Sequence, residues 1–326
     1  MNSADVTARY RRMRAVLNGE RADRIPLPGD YTSVEYRMDT YHLGEPVLAA
    51  PGEVVVSNGG KVRTTADGGN WRQGDKELYR DHEDVLNAPL DRFEVEIVDE
   101  RMRAEMRSVF TPSAANTFTM PQHYGTLVTR ATLAFDWEPF LLASAVDEVR
   151  FAKILDRFGE ASLAVISGWS SLEDVEAIRI HDDIASTKGL ILSPVWLKKY
   201  VFPWYARFFK AVHDGGKKAL HISDGNWFAA LDDIMEAGAD GVYIESSAMD
   251  PAQVMKACGE MTIYQVKTDN SVMDSGTPEE IRAELTSLRK LWERYPSIFM
   301  YHGGGGVVPE NVAAFNRYYN ELLCAQ

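Results

Sequence analysis

Five short apolar runs in the C-terminal half of the chain each end in side chains that can do chemistry. Ala177-Ile178-Arg179-Ile180 leads into His181-Asp182-Asp183, and Lys218-Ala219-Leu220 into His221-Ile222-Ser223-Asp224. Gly241-Val242-Tyr243-Ile244 leads into Glu245, Thr262-Ile263-Tyr264 into Gln265-Val266-Lys267-Thr268-Asp269, and Ile298-Phe299-Met300-Tyr301 into His302-Gly303-Gly304. Imidazoles, carboxylates and a lysine gathered in one place can exchange protons or hold a metal ion. Asp183 is placed to hydrogen-bond a substrate or to act as acid or base; it could equally cap the segment Ile184–Lys188, as could Asp182. Lys267 and Asp269 could hold a carboxylate or phenolate, or form a solvated salt bridge. Gln265 adds a polar contact from the same strand end.

Trp169, Trp196, Trp204 and Trp227 fall near expected rim loops or helix starts, and His123-Tyr124-Gly125 reads as a further rim loop. An aromatic rim, with Trp196 as its substrate contact, suits a flat ligand. Packing in the core is the competing role for the same residues.

Runs of about four to six apolar and β-branched residues separated by helical stretches are what buried parallel strands look like. They predict an α/β fold, a (β/α)8 TIM barrel, whose C-terminal strand ends converge on one rim. Residues 4–17 predict an amphipathic helix ending at Asn18-Gly19, and Arg24–Asp30 a first strand with its rim loop. Residues 53–72 contain Asn58-Gly59-Gly60 and Asp67-Gly68-Gly69, turn signals for a small hairpin excursion. Mixed charges at helical spacing run over 81–107. A long helix is predicted over 147–166 with Val149, Phe151, Ile154, Leu155 and Phe158 buried, and others near 194–213, 227–237, 250–257, 278–293 and 309–323. No repeat or flexible linker interrupts this order, so residues 1–326 read as one domain.

The 326 residues are 45% hydrophobic, and no apolar stretch approaches the roughly 18 residues of a membrane span. A net charge of −13 repels phosphate backbones, which argues against nucleic acid as a partner. Cys258 and Cys324 make no motif, and the N-terminus lacks the features of a signal peptide. A cytoplasmic location is the expectation.

Several pieces of text occur together and in order: Asp182-Asp183-Ile184, Gly189-Leu190-Ile191-Leu192-Ser193-Pro194, Leu220-His221-Ile222-Ser223-Asp224-Gly225, Gly238-Ala239-Asp240-Gly241, Gly276-Thr277-Pro278-Glu279-Glu280 and Pro309-Glu310-Asn311. With Asp23-Arg24-Ile25-Pro26 near the N-terminus, this order resembles the uroporphyrinogen decarboxylase superfamily, which includes decarboxylases and corrinoid-dependent methyltransferases. The resemblance implies a zinc-binding His at His221, with a Cys two residues on and another just after the last strand. Here those two positions hold Ser223 and, aligned by eye, Gly304. The ligand set implied instead is His221 and Glu245, with Asp224 or His302 as further ligands, a harder site suited to an ether oxygen. His221 bonded to a carboxylate, Glu245 in an ion pair and Asp224 as a helix cap are the bland alternatives.

The methyltransferase branch implies that a methyl group moves from a small methoxylated donor to a cobalamin carried by a partner corrinoid protein. Asp183, His221 and Lys267 are the catalytic candidates, and Asp183, Gln265, Lys267 and Trp196 the substrate contacts. A porphyrinogen decarboxylase is the alternative enzyme, although only Arg37 is available where that branch carries paired arginines. A non-catalytic barrel that binds a corrinoid or metabolite is the third reading, and a homodimer is left open.

Overall fold

The computed structural model describes residues 3–27, 39–43, 54–57, 60–64, 70–73, 78–93, 95, 97–301 and 308–324. In chain order the strands are β1 (Thr40–Leu43), β2 (Val54–Ser57), β3 (Gly60–Thr64), β4 (Asn70–Gln73), β5 (Phe118–Tyr124), β6 (Ala177–His181), β7 (Ala185–Ser186), β8 (Gly189–Leu190), β9 (Lys218–Ile222), β10 (Gly241–Glu245), β11 (Ile263–Lys267) and β12 (Ile298–Tyr301). Seven of them form one parallel sheet in the order β1-β5-β6-β9-β10-β11-β12. The stretch Ile25–Leu27 lies between its two edges. Leu27 O accepts from Asp39 N at 2.9 Å and Thr40 N at 3.1 Å on the β1 side, while Pro26 O accepts from Met300 N at 2.9 Å on the β12 side. That short stretch is the first staff of the barrel and closes the ring.

Alternation along each strand separates two apolar layers. Phe118, Met120, Ala177, Leu220, Ile222, Tyr243, Ile263 and Phe299 form one cluster inside the barrel with Met13, Val16 and Leu17 of helix Ser3–Leu17. That helix therefore stoppers the N-terminal end. Arg12 and Arg24 both reach the fully buried Asp39, at 3.2 and 2.8 Å, fixing the helix, the first staff and β1 to one another. The intervening strand residues, including Ile178, Ile180, Ala219, Val242, Ile244, Val266 and Met300, face outward and pack under the helices.

The expected hairpin excursion is the antiparallel sheet β2-β3-β4. Other expectations need correction. Val149 is 63% exposed in helix Glu148–Ser170, because nine helical steps put it opposite Phe158. The region 194–213 is two helices, Pro194–Tyr200 and Phe202–Asp214; Pro203 has no N–H and serves the first turn of the second. Across 81–107 the chain forms helix His82–Leu86 and a 3-10 turn at Leu90–Arg92, then enters helix Glu100–Ala114. His123 and Tyr124 belong to β5, not to a loop. Among the described residues no helix is long and apolar enough to cross a membrane.

Candidate active site at the C-terminal rim

Polar residues replace apolar ones on the inward face as the strands approach their C-terminal ends. Register sets two layers. In the deeper one Gln122 of β5 stands beside Arg179 of β6, and Tyr243 of β10 beside Gln265 of β11. In the upper one Tyr124 pairs with His181, and Glu245 with Lys267.

The layers are joined by hydrogen bonds that fix the state of one imidazole. Arg179 donates through Nη1 to Gln122 Oε1 and through Nε to Gln265 Oε1 at 3.2 Å. With its carbonyl so occupied, Gln122 turns its amide nitrogen to His181 Nδ1, 3.4 Å away. That nitrogen must accept, so the ring proton sits on Nε2, which donates to Asp183 Oδ1 at 2.9 Å. Tyr124 packs edge-on against the His181 ring, centroids 4.5 Å apart.

Asp183 also accepts from the backbone N–H of Asp224 at 2.9 Å. Burial pushes the Asp183 pKa up, but the hydrogen bonds from His181 and from the Asp224 N–H outweigh that and leave it below the usual carboxylate value. Asp224 moves the other way: burial, then repulsion from Asp183, raises it. Its side chain opens to the barrel mouth. Two neighbouring carboxylates pushed apart in this way divide the roles, Asp183 staying an anion and Asp224 the better proton carrier.

Sequence reading placed Asp183, Lys267, Glu245, Asp224 and Gln265 at the rim, and all five are there. Lys267 Nζ binds Glu245 Oε1 at 2.7 Å, and Gly225 N donates to Glu245 Oε2 at 2.9 Å. Gly225, at φ +80°, lies so close to the Ser186 backbone that a Cβ would come within 2.7 Å of it. Glu245 is thus in an ion pair, and its metal assignment is corrected accordingly. The capping reading goes to Asp182, which is fully buried and accepts from Leu127, Val128 and Thr129 N–H at 2.8 to 3.3 Å and from Tyr205 Oη at 2.9 Å. It caps helix Val128–Phe135 rather than Ile184–Lys188, which folds into the β7-β8 hairpin.

His221 is the main correction. Leu220 and Ile222 face the barrel interior, so His221 between them points outward, between Tyr205 and Trp227 with ring centroids 5.3 and 5.6 Å away. It is fully buried, and neither ring nitrogen has a hydrogen-bond partner among the described residues. Burial pushes its pKa down to about 3, so it is neutral. Trp196 is corrected too: it is 8% exposed and packs against Phe151 and Tyr200, in the helical layer. Trp169, Trp204 and Trp227 are likewise buried. His302 lies outside the described residues.

Among the described residues the group able to take a metal is His181, Asp183 and Asp224, whose ligand atoms lie within 4.8 Å of one another. Its nitrogen and oxygen donors fit a hard or borderline divalent cation. Arg179, His181, Gln122 and Tyr243 were missed as site residues because they sit inside the apolar runs or in an unrecognised strand, where nothing in the sequence marks the inward face.

Comparison with known proteins bears on this geometry. The family model for uroporphyrinogen decarboxylase (URO-D) matches residues 136–319. A methyltransferase from Methanosarcina mazei superposes with a TM-score of 0.65 at 17% identity, covering 96% of this chain and 98% of that one. A 3-keto-D-glucoside 4-epimerase from E. coli gives a TM-score of 0.38 at 11% identity over 68% of this chain and 84% of its own. Among curated proteins none matches.

Proposed function

The chain belongs to the uroporphyrinogen decarboxylase family, and from that premise we propose that it is a methyltransferase: it holds a small methoxylated molecule in the barrel mouth while the methyl group passes to a corrinoid on a partner protein. The observation that carries this reading is the absence of a cysteine thiol from the rim. The only two cysteines are at the other end of the barrel, Cys258 closing the helix that precedes β11 and Cys324 bridged to Arg24 at the start of the first staff. A thiol donor activated by a soft thiolate-rich site is therefore unsupported, and a leaving oxygen is the better match to nitrogen and oxygen groups. The likeness to a methyltransferase over nearly the whole chain accords with this choice within the family.

The residues take roles that follow from their states. Asp183, kept anionic, accepts the Nε2 proton of His181 and so fixes the imidazole in one orientation. Asp224, with its raised pKa and open side chain, holds a proton for the oxygen that departs as the methyl carbon is taken. Lys267 and Glu245 form a fixed dipole on the opposite wall, rigid enough to position a substrate. Zinc or a similar cation, held by His181, Asp183 and Asp224 in place of the protons on Nε2 and Asp224, would supply Lewis acidity toward that oxygen when bound.

The test is to incubate the protein with a Co(I) corrinoid protein and methyl ethers, methylamines and methyl thioethers, following the methyl-Co(III) spectrum. Ether-selective methylation, absent without the corrinoid protein, is expected. Carbon dioxide release from a porphyrinogen with no cobalt methylation would instead assign the decarboxylase activity.

A further inference from the structure

Arg179 carries a charge that no described residue neutralises. It is 4% exposed, and its hydrogen bonds go to the side-chain amides of Gln122 and Gln265, with no carboxylate paired to it among the described residues. Burying a guanidinium without an anion is costly, and neutral amides offset only part of that cost. Deprotonation does not relieve it, because a guanidinium stays charged at neutral pH. Asp224 is the acid whose field reaches it, without pairing.

Donors are left over. Nη2 of Arg179 makes no hydrogen bond among the described residues. Tyr243 is 2% exposed, and its hydroxyl likewise makes none among the described residues. Tyr243 stands in the field of Arg179. Both residues face inward one layer below His181, and two residues along β6 is a rise of about 6.6 Å.

We propose that Arg179 and Tyr243 form an anion-binding end to the pocket that receives a substrate carboxylate, so that the substrate is a methoxylated carboxylic acid with its anion deep and its ether at the rim. The carboxylate completes the charge that Gln122 and Gln265 leave unmatched, in the forked geometry a guanidinium offers. The spacing between the layers leaves room for a ring between the two functional groups. The methoxylated half of this statement rests on the methyl-transfer reading, whereas the anion site does not.

Calorimetric titration separates the two. The protein is titrated at pH 7 with 4-methoxybenzoate and with its neutral counterpart 4-methoxybenzyl alcohol, alongside Arg179→Gln, Arg179→Lys and Tyr243→Phe variants. The wild type is expected to prefer the carboxylate by about tenfold or more. Arg179→Gln should abolish the preference, and Arg179→Lys and Tyr243→Phe should reduce it. If Arg179→Gln does not fold, the wild-type preference and its reduction in Tyr243→Phe decide the matter. Equal affinity for the two probes, no binding of either, or a preference unchanged in Arg179→Gln would overturn the anion site. Carboxylate preference without any cobalt methylation would remove the methyl-transfer reading and leave the anion site standing; cobalt methylation without carboxylate preference would do the reverse.

Discussion

His181 and His221 are the same residue type on adjacent strands, and one step of strand parity gives them opposite fates. His181 shares the inward face with Arg179 and becomes part of a polar chain running from Gln122 to Asp183. His221 shares the outward face with Ile180, its register partner, and is sealed among aromatic rings. Parity was not legible in the sequence, because strands buried on both faces read as continuous apolar runs without alternation. A buried neutral histidine has a measurable signature. A base whose folded pKa lies below its unfolded value favours the unfolded chain as it takes up a proton. With His221 at about 3 when folded and about 6.5 when unfolded, the penalty is absent above pH 6.5 and grows as pH falls toward 3. His221→Leu is therefore expected to flatten the loss of stability with acid, gaining about 3 kcal/mol on the wild type at pH 4 relative to pH 7. Urea unfolding at both pH values measures this; parallel stability curves would show that His221 is not held neutral.

At the scale of elements, the rim is assembled by caps and hairpins that position strand ends. Asp182 illustrates it: one carboxylate at the end of β6 satisfies the N-terminus of helix Val128–Phe135 and the hydroxyl of Tyr205, tying β6 to the helices on either side. Asp183 N donates to Thr129 Oγ1, so the same helix start also holds the backbone of the neighbouring site residue. Asp182→Ala would leave these buried donors unmet and is expected to cost about 3–5 kcal/mol, seen in denaturant midpoints without a change in slope. A loss below about 1 kcal/mol would mean that water replaces the carboxylate readily. Strands β6 and β9 to β12 were legible because branched apolar residues dominate them, and Pro194, Pro278 and Pro309 marked helix starts correctly. Strand β5 was hidden by Pro121 and by the inward Gln122, both atypical of a central strand. The first staff was legible as a strand, but its closing role depends on hydrogen bonds to β1 and β12 that are remote in sequence.

For the whole molecule, the barrel separates stability from chemistry along its axis. The N-terminal end is stoppered by helix Ser3–Leu17 and carries both cysteines, while the C-terminal end holds the nitrogen and oxygen groups. The order of motifs along the chain made the family and the barrel legible. What it could not convey was which polar residues share the inward face, since His221 is turned outward and the described group that could hold a metal comes from β6 and the β9 loop. The central claim is that the inward rim group performs the reaction, and the rate of cobalt methylation by Asp183→Ala with a saturating methyl ether tests it most directly. With the fold verified by circular dichroism, a decrease of about two to four orders of magnitude relative to the wild type is expected. A rate within about threefold of the wild type would contradict the assignment of the reaction to this site.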